Sequence, residues 1–516
     1  MRKLLAILQI FVLMAAMALP TAFAAEAPIM LAGLEAASSS SSTEAQHDWD
    51  TNLFFQTMQE KTGIAFSFTE YVSREAWTEA KTEMLAGEVA MPDMFFKAEL
   101  TPQETLAFYE AGKLIDLRPY LAEYAPHAWA LLEANPEWME AVSLPDGAIV
   151  ALPSINELTP NNTMWINKTW LDRLKMGVPT TAEKLTEVLR QFRDRDMNQN
   201  GSRNDEIPLS FVSMWDLRFL AHAFGINADD YYLTEQNGKI SEVLTTEENR
   251  AFLTWLHELY TEGLLDSQGF MAMRLVEAAT SSSSSSSRET AKYGVFFGAT
   301  PQDVVGVNLA SEYIALDPLV YDGQQVYRDF TGDLYRGTFA ISSTCAEPKK
   351  LLQWVDYLYT DEGFLAAQVG REGEDYDWND DGTWAYARTA EEVVAMQGTN
   401  TIWTTSMPSY ASAEIQMKMD DDATHALAAE LARVRQWKKR AMPLLYLTQE
   451  QMNRVTELQS GISTYAETRM AWFVAGDVEL NDETWADFCT QVKALGIDEM
   501  VSIWQSACDN AWHLDK

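Results

Sequence analysis

Apolar side chains recur at helical spacing through long parts of the chain, and short unbroken apolar runs stand between them. After Pro179 and Thr180, the residues Leu185, Val188, Leu189 and Phe192 share one helical face, and Glu183 follows Thr180 at the Thr-x-x-Glu spacing of a capping box. A second helix is predicted from Pro348, with Leu351, Trp354, Val355 and Leu358 on one face and Gly363 weakening its end. Trp485, Phe488, Cys489 and Val492 mark a third, and Val501, Trp504 and Cys508 keep the same spacing further on. The runs Gly294–Gly298 and Gly337–Ser342 are too short for helices and read as strands. Helices and short strands interleaved over the whole length predict an α/β architecture with several βα units.

Three stretches fall outside this pattern. Arg2 and Lys3 precede an apolar run from Leu4 to Leu19, and Pro20 and Ala22-Phe23-Ala24 follow. This is the order of a secretory signal, with cleavage expected after Ala24; an uncleaved anchor is the alternative, but the run falls short of the roughly 20 residues that span a bilayer. An extracytoplasmic protein is therefore expected, secreted or held at the cell envelope. The serine runs Ser38–Ser42 and Ser281–Ser287 read as flexible surface segments, because serine buries too little surface to offset the entropy of ordering it.

With 516 residues, 47% of them hydrophobic, the chain must form at least two globular units. Its 38 Lys and Arg against 76 Asp and Glu give a net charge of −38, which repels phosphate backbones and excludes nucleic acid as a partner. Seventeen Trp, 19 Tyr and 22 Phe exceed what such cores require and leave flat side chains for ligand contacts. Cys345, Cys489 and Cys508 give no disulfide framework. Cys489 and Cys508 read as small buried hydrophobes, with a bridge between them as the alternative. No Cys near Ala24 is available for a lipid anchor.

One segment is dense in chemistry. Asp196, Asn198 and Asn200 occupy positions 1, 3 and 5 of a loop, Gly201 position 6 and Ser202 position 7, and Asp205 and Glu206 close it. Alternate oxygens aimed at one centre, with glycine allowing the sharp turn, suit a hard cation needing six to eight oxygen ligands, and calcium fits best. The loop departs from a full EF-hand because Ile207 stands at position 12 and the next residues read as a strand. The alternative is an Asn- and Gly-rich capping loop; in either case its role is structural. No HExxH, GxSxG or phosphate-cradling glycine loop is present, and Asp380-Asp381 and Asp420-Asp421-Asp422 read as solvated carboxylates, so nothing supports an enzyme.

The segment Trp165-Ile-Asn-Lys-Thr-Trp170-Leu-Asp-Arg-Leu, the Val-Pro-Thr-Thr that follows and the Asp-x-Asn-x-Asn-Gly loop with Asp-Glu-Ile-Pro closely resemble the extracellular solute-binding proteins of family 1, which serve ABC importers. Further matches are Glu60-Lys-Thr-Gly63, Met91-Pro-Asp-Met-Phe, the Gly337 to Pro348 segment, Gly370-Arg-Glu-Gly-Glu-Asp-Tyr-Asp-Trp-Asn-Asp-Asp-Gly and Trp485 to Trp504, so the resemblance covers roughly residues 48 to 506. It is strongest to the large LplA/YtcQ-type lipoproteins and the alginate-binding periplasmic proteins. Two features depart from it: the lipidated Cys is absent, and the calcium loop is one residue longer than the commonest spacing, so the resemblance assigns no role to Asn204.

The resemblance implies a two-lobed periplasmic-binding-protein-like fold of type II, each lobe a central sheet flanked by helices, hinged around an inter-lobe cleft. Crossings near Pro153, Glu312 and Gly370 would assign 25–155 plus 312–369 to the N-terminal lobe and 156–311 plus 370–516 to the C-terminal lobe. Position in that frame suggests Trp165, Trp215, Phe297, Arg336 and Trp403 as ligand contacts, each with an ordinary core or surface role as the alternative. Trp215 follows a short strand out of the calcium loop, at the Ser213-Met214 turn into the apolar stretch Leu217–Phe224. The expected function is a monomeric carbohydrate receptor that delivers its solute to ABC permease transmembrane subunits. Neutral oligosaccharides are expected first, with peptides or uronates after them, and a secreted glycoside hydrolase is the alternative.

Overall fold

Thr163–Asn167 and Tyr293–Gly298 are buried at almost every position, as strands covered by helices on both faces must be. They form the centre of one of two principal sheets in the computed structural model, which describes residues 29–30, 32–33, 49, 51–69, 71, 74–270, 290–330, 332–396, 399–402 and 406–513. The signal segment, both serine runs and Trp403 lie outside the described residues. The first sheet has the order Ser409–Ala411, Ala151–Asn156, Leu334–Ile341, Met94–Phe96, Ala32–Gly33; the second has Tyr313–Ala315, Thr163–Asn167, Tyr293–Gly298, Ile207–Leu209. Each carries its own core: Phe54, Phe96, Leu152, Phe339 and Trp354 in the first lobe, and Trp165, Trp170, Phe192, Phe296 and Phe488 in the second.

Among the described residues the chain passes between the lobes three times. Residues 157–162 join Ala151–Asn156 to Thr163–Asn167, and after Tyr327–Arg328 the chain returns to Leu334–Ile341 as the second crossing. The third passage leaves Ser409–Ala411, runs through the helix Asp422–Arg435 and an extended stretch, and enters the long helix Gln449–Ala475. Strand pairing moves the crossings expected at Glu312 and Gly370. Tyr313–Ala315 pairs antiparallel with Thr163–Asn167 in the second sheet, and Ser409–Ala411 pairs parallel with Ala151–Asn156 in the first. The strand partner, not the nearest glycine, decides lobe membership.

Local details follow from tertiary contacts. The helix after Pro179 spans Ala182–Asp194 and is capped by Thr181, whose side chain accepts from the Lys184 N–H, so the Thr180–Glu183 box does not form. The Thr180 carbonyl is held instead by the Val320 N–H at 2.7 Å. The Pro348 helix ends at Asp356, and Gly363 lies inside the next helix, Asp361–Gln368. A Cβ on Gly363 would come within 1.8 Å of the Tyr357 carbonyl oxygen, so glycine here permits close approach rather than ending a helix. Leu334–Ile341 shifts register between Tyr335 and Phe339, where Gly337 has φ +73° and a Cβ would meet the Leu100 carbonyl oxygen at 2.0 Å. No disulfide joins Cys345, Cys489 and Cys508 to one another, so the Cys489–Cys508 bridge is not made. No helix among the described residues is long and apolar enough to cross a membrane.

Candidate functional site

Strand direction locates the crevice. Gly298 pairs with Thr163, the first residue of its strand after the first crossing, so Tyr293–Gly298 and its parallel neighbour Ile207–Leu209 run towards the other lobe. Met94–Phe96 is antiparallel to Leu334–Ile341, which begins at the second crossing, so its carboxyl end points back across the gap. In open α/β sheets ligands bind outside the carboxyl ends of strands. Here those ends are followed by Lys97–Glu99, Ser210–Trp215 and Gly298–Thr300. Lys97 and Glu99 hold left-handed backbone, at φ +53° and +47°, a cost that side chains bear most often at functional positions.

Aromatic rings line this edge. Trp215, half-buried on the short helix Met214–Leu217, has Phe330 edge-on at 4.9 Å and Phe219 edge-on at 5.1 Å. Its indole N–H donates to Asp230 Oδ1 at 2.8 Å. Phe330 is 42% exposed and Tyr335 47%, both well above the usual burial of such rings. Partial burial, and after it the Glu99 carboxylate, push the Tyr335 hydroxyl up, and Glu99 also pairs with Arg74 at 3.5 Å. Asp229, beside Asp230, is pushed up to about 7 by burial, against backbone N–H bonds from Leu233 and Tyr231.

The other candidates separate. Trp165 is 1% exposed and its indole N–H donates to the Gly298 carbonyl at 3.0 Å; Phe297 is also buried, so the core role holds for both. Arg336 directs its guanidinium to the carbonyls of Ala141, Leu444 and Leu445, over the Tyr446 ring, and so fastens the third crossing to the first lobe. Sequence reasoning does not reach Glu99, Asp230, Arg328, Phe330 and Tyr335, because they stand in loops or at the ends of strands beside the crossings, where no periodicity marks a facing side chain. An inter-lobe volume of about 650 Å³ lies along the third crossing, between Trp138 of the first lobe, with Trp512 packed on that lobe's core, and Ala507 of the second. Its lining includes none of the rings Trp215, Phe330 and Tyr335.

The loop after the helix Ala182–Asp194 folds its oxygens inward. Asp196 accepts from the Asn200 and Gly201 N–H groups, Asn198 Oδ1 from Asn200, and Asn200 Oδ1 from Ser202. Glu206 Oε1 accepts from Met197 and Asn198, while Asp205 Oδ1 and Glu206 Oε2 are buried without a hydrogen-bond partner. Burial pushes Asp205 up, but hydrogen bonds from Asn198, Asn200 and Ser202 outweigh it and hold the carboxyl below its ordinary range. The two buried, unpartnered carboxylate oxygens fit a cation of calcium's chemistry, and the Asn198 and Asn200 amides, which here donate to Asp205 Oδ2, would turn their oxygens to it. No compact group of three His, Cys, Asp or Glu side chains occurs among the described residues, so any such site mixes carboxylates with neutral oxygens.

These features define the class: the chain has the two-lobed fold of solute-binding proteins. It matches an HMO-binding ABC-transporter-associated solute-binding protein of Bifidobacterium longum infantis at TM-score 0.75 and 21% identity, over 94% of this chain and 99% of that one. A Streptococcus pneumoniae FusA EF-hand mutant in complex with fructo-nystose superposes at TM-score 0.65 and 22% identity, over 93% and 99%. In sequence the chain is 23% identical over 504 residues to the fructooligosaccharide ABC transporter substrate-binding protein FusA of S. pneumoniae serotype 4, spanning 91% of this chain and 89% of that protein. No family model matches. The resemblance read from the motifs therefore extends along nearly the whole chain.

Proposed function

We propose that this protein is the extracytoplasmic receptor of an ABC importer, which captures an oligosaccharide between its lobes and delivers it to the permease transmembrane subunits. The reading rests on the ring pair Trp215 and Phe330 and on the exposed Tyr335 beside Glu99, which lie next to the crossings that join the lobes. Flat rings cover the apolar face of a sugar, and Asp230 beside Trp215 and Glu99 beside Tyr335 supply carboxylates that bind hydroxyls. The relatives' ligands support the substrate class, since FusA is described as a fructooligosaccharide binder and the Bifidobacterium protein as HMO-binding. With a net charge of −38, the chain favours neutral sugars over uronates. The protein binds and hands over its solute without chemical change, and a glycoside hydrolase is not favoured.

Calcium held by Asp196, Asn198, Asn200, Ser202, Asp205 and Glu206 would supply a structural cross-link behind Trp215. The FusA EF-hand mutant supports this, because a loop of that kind is named in a relative. The receptor works as a monomer, and residues 1–24 direct its export. A thermal-shift and calorimetric panel of neutral oligosaccharides, led by kestose, tests the reading. Stoichiometric binding without product, with a smaller radius of gyration in small-angle scattering, is expected. Turnover of the sugar, or no binding across the panel, would refute it.

A further inference from the structure

Arg328 stands where the hinge and the ring platform meet. It belongs to the two-residue strand Tyr327–Arg328 at the end of the second lobe, one residue before the second crossing. That strand pairs in parallel with Lys438–Lys439 of the third crossing, Arg328 opposite Lys439. Its backbone carbonyl accepts from Asn161 Nδ2, in the first crossing, at 2.6 Å. Lys438 Nζ also donates to the Thr159 carbonyl at 2.9 Å, closing the set. All three passages between the lobes are thus tied at one residue and its strand partner.

The side chain reaches the other way. It is 5% exposed, its Nε donates to the Ala228 carbonyl at 2.7 Å, and its Nη2 donates to Asp230 Oδ1 at 2.6 Å. The same oxygen takes the Trp215 indole N–H. The guanidinium lies 4.9 Å from the Phe219 ring, 5.6 Å from Trp215 and 6.0 Å from Phe330, while Nη1 is buried without a hydrogen-bond partner. A buried cation held by one carboxylate and one carbonyl among three rings has little freedom to move alone. A planar fork fixes both partners at once, which an ammonium cannot do.

We propose that Arg328 is a positioning residue that couples the Trp215 platform to the hinge. Rotation of the crossings displaces the Arg328 backbone and carries Asp230 and the indole with it. A sugar stacked on Trp215 acts back through the same bonds, because coupling between two sites is reciprocal. That last consequence rests on the receptor reading; the tie between ring and hinge does not.

The test reads the two ends separately. In protein labelled with 15N at the indoles, the Trp215 N–H signal is assigned with Trp215→Phe and its hydrogen exchange measured without ligand. Arg328→Lys should speed that exchange at least tenfold. Asn161→Ala and Lys438→Met touch neither the ring nor Asp230, yet each should speed it at least threefold, a change that a purely local support would not transmit. Ligand-free melting confirms that each variant is folded, and the two hinge variants stand in for each other if one is not. Exchange within twofold of wild type in the folded hinge variants overturns the proposal, as does an unchanged rate in Arg328→Lys. Kestose added to wild type should slow the exchange; if neither kestose nor the rest of the panel binds, the receptor reading fails while the hinge variants still decide the coupling.

Discussion

Removing calcium should loosen the lobe that carries Trp215. The perturbation is chelation, with Asp196→Ala, Glu206→Ala as the matched double variant. Binding only to the folded loop stabilises by RT ln(1 + [L]/Kd), so about 1 mM calcium at a Kd of about 10 µM adds about 2.7 kcal/mol. A domain of 150 to 250 residues shifts its midpoint by about 2 to 4 °C per kcal/mol, which makes the expected fall about 5 to 11 °C. The structure supports the same scale from the other side. Asp205 Oδ1 and Glu206 Oε2 are buried without partners, and each unsatisfied atom costs about 1 to 3 kcal/mol when nothing is bound. Differential scanning calorimetry with calcium and with EGTA measures the shift. A wild-type midpoint that ignores the chelator, or a double variant that responds to calcium as wild type does, would show that the segment is a capping loop and that the inward oxygens are satisfied by water.

Trp215→Ala should weaken oligosaccharide binding by about 1 to 3 kcal/mol, by analogy with bases stacked on aromatic rings, with a smaller loss of ligand-free stability than a fully buried Trp would show, because the ring is only half-buried; unchanged affinity with a large loss of stability would make Trp215 core. Asp229 is raised from 3.8 to about 7 mainly by burial, with Asp230 raising it further and Arg328 opposing, so the folded state keeps its proton longer than the unfolded state. Its contribution is fully present below about pH 4 and lost as pH climbs through 7, and Asp229→Asn, whose amide oxygen can still accept from Tyr231 and Leu233, should flatten stability against pH in that window. A denaturation series from pH 4 to 8 checks this, and parallel curves for variant and wild type would contradict it. Asp375 is fully buried, accepts from Arg388 Nε and Nη2 at 3.0 and 2.8 Å and from the Arg371 N–H at 2.8 Å. Asp375→Ala should cost about 3 to 5 kcal/mol in urea unfolding, and a loss under 1 kcal/mol would mean the pair is solvated.

Periodicity alone determined what local physics enforces. The Val295–Phe297 run is a strand because every position is covered, and the helix beginning after Pro179 follows from the spacing of Leu185, Val188, Leu189 and Phe192. The oxygen pattern from Asp196 to Glu206 was legible for the same reason, since its members are neighbours in the chain and the turn that gathers them is short-range. Tertiary structure decided everything that depends on a distant partner. Ser409–Ala411 joins the first lobe only because Ala151–Asn156 offers it an edge, and Tyr313–Ala315 joins the second because Thr163–Asn167 does. Trp165 and Trp215 look alike in sequence, yet one lies in a sheet covered on both faces and the other stands at a strand's carboxyl end, with its indole held by Asp230. Arg328 carries no motif at all. Its position came from the meeting of three crossings whose contacts are separated by as many as 279 residues, and no local pattern encodes a bond made across that length of chain.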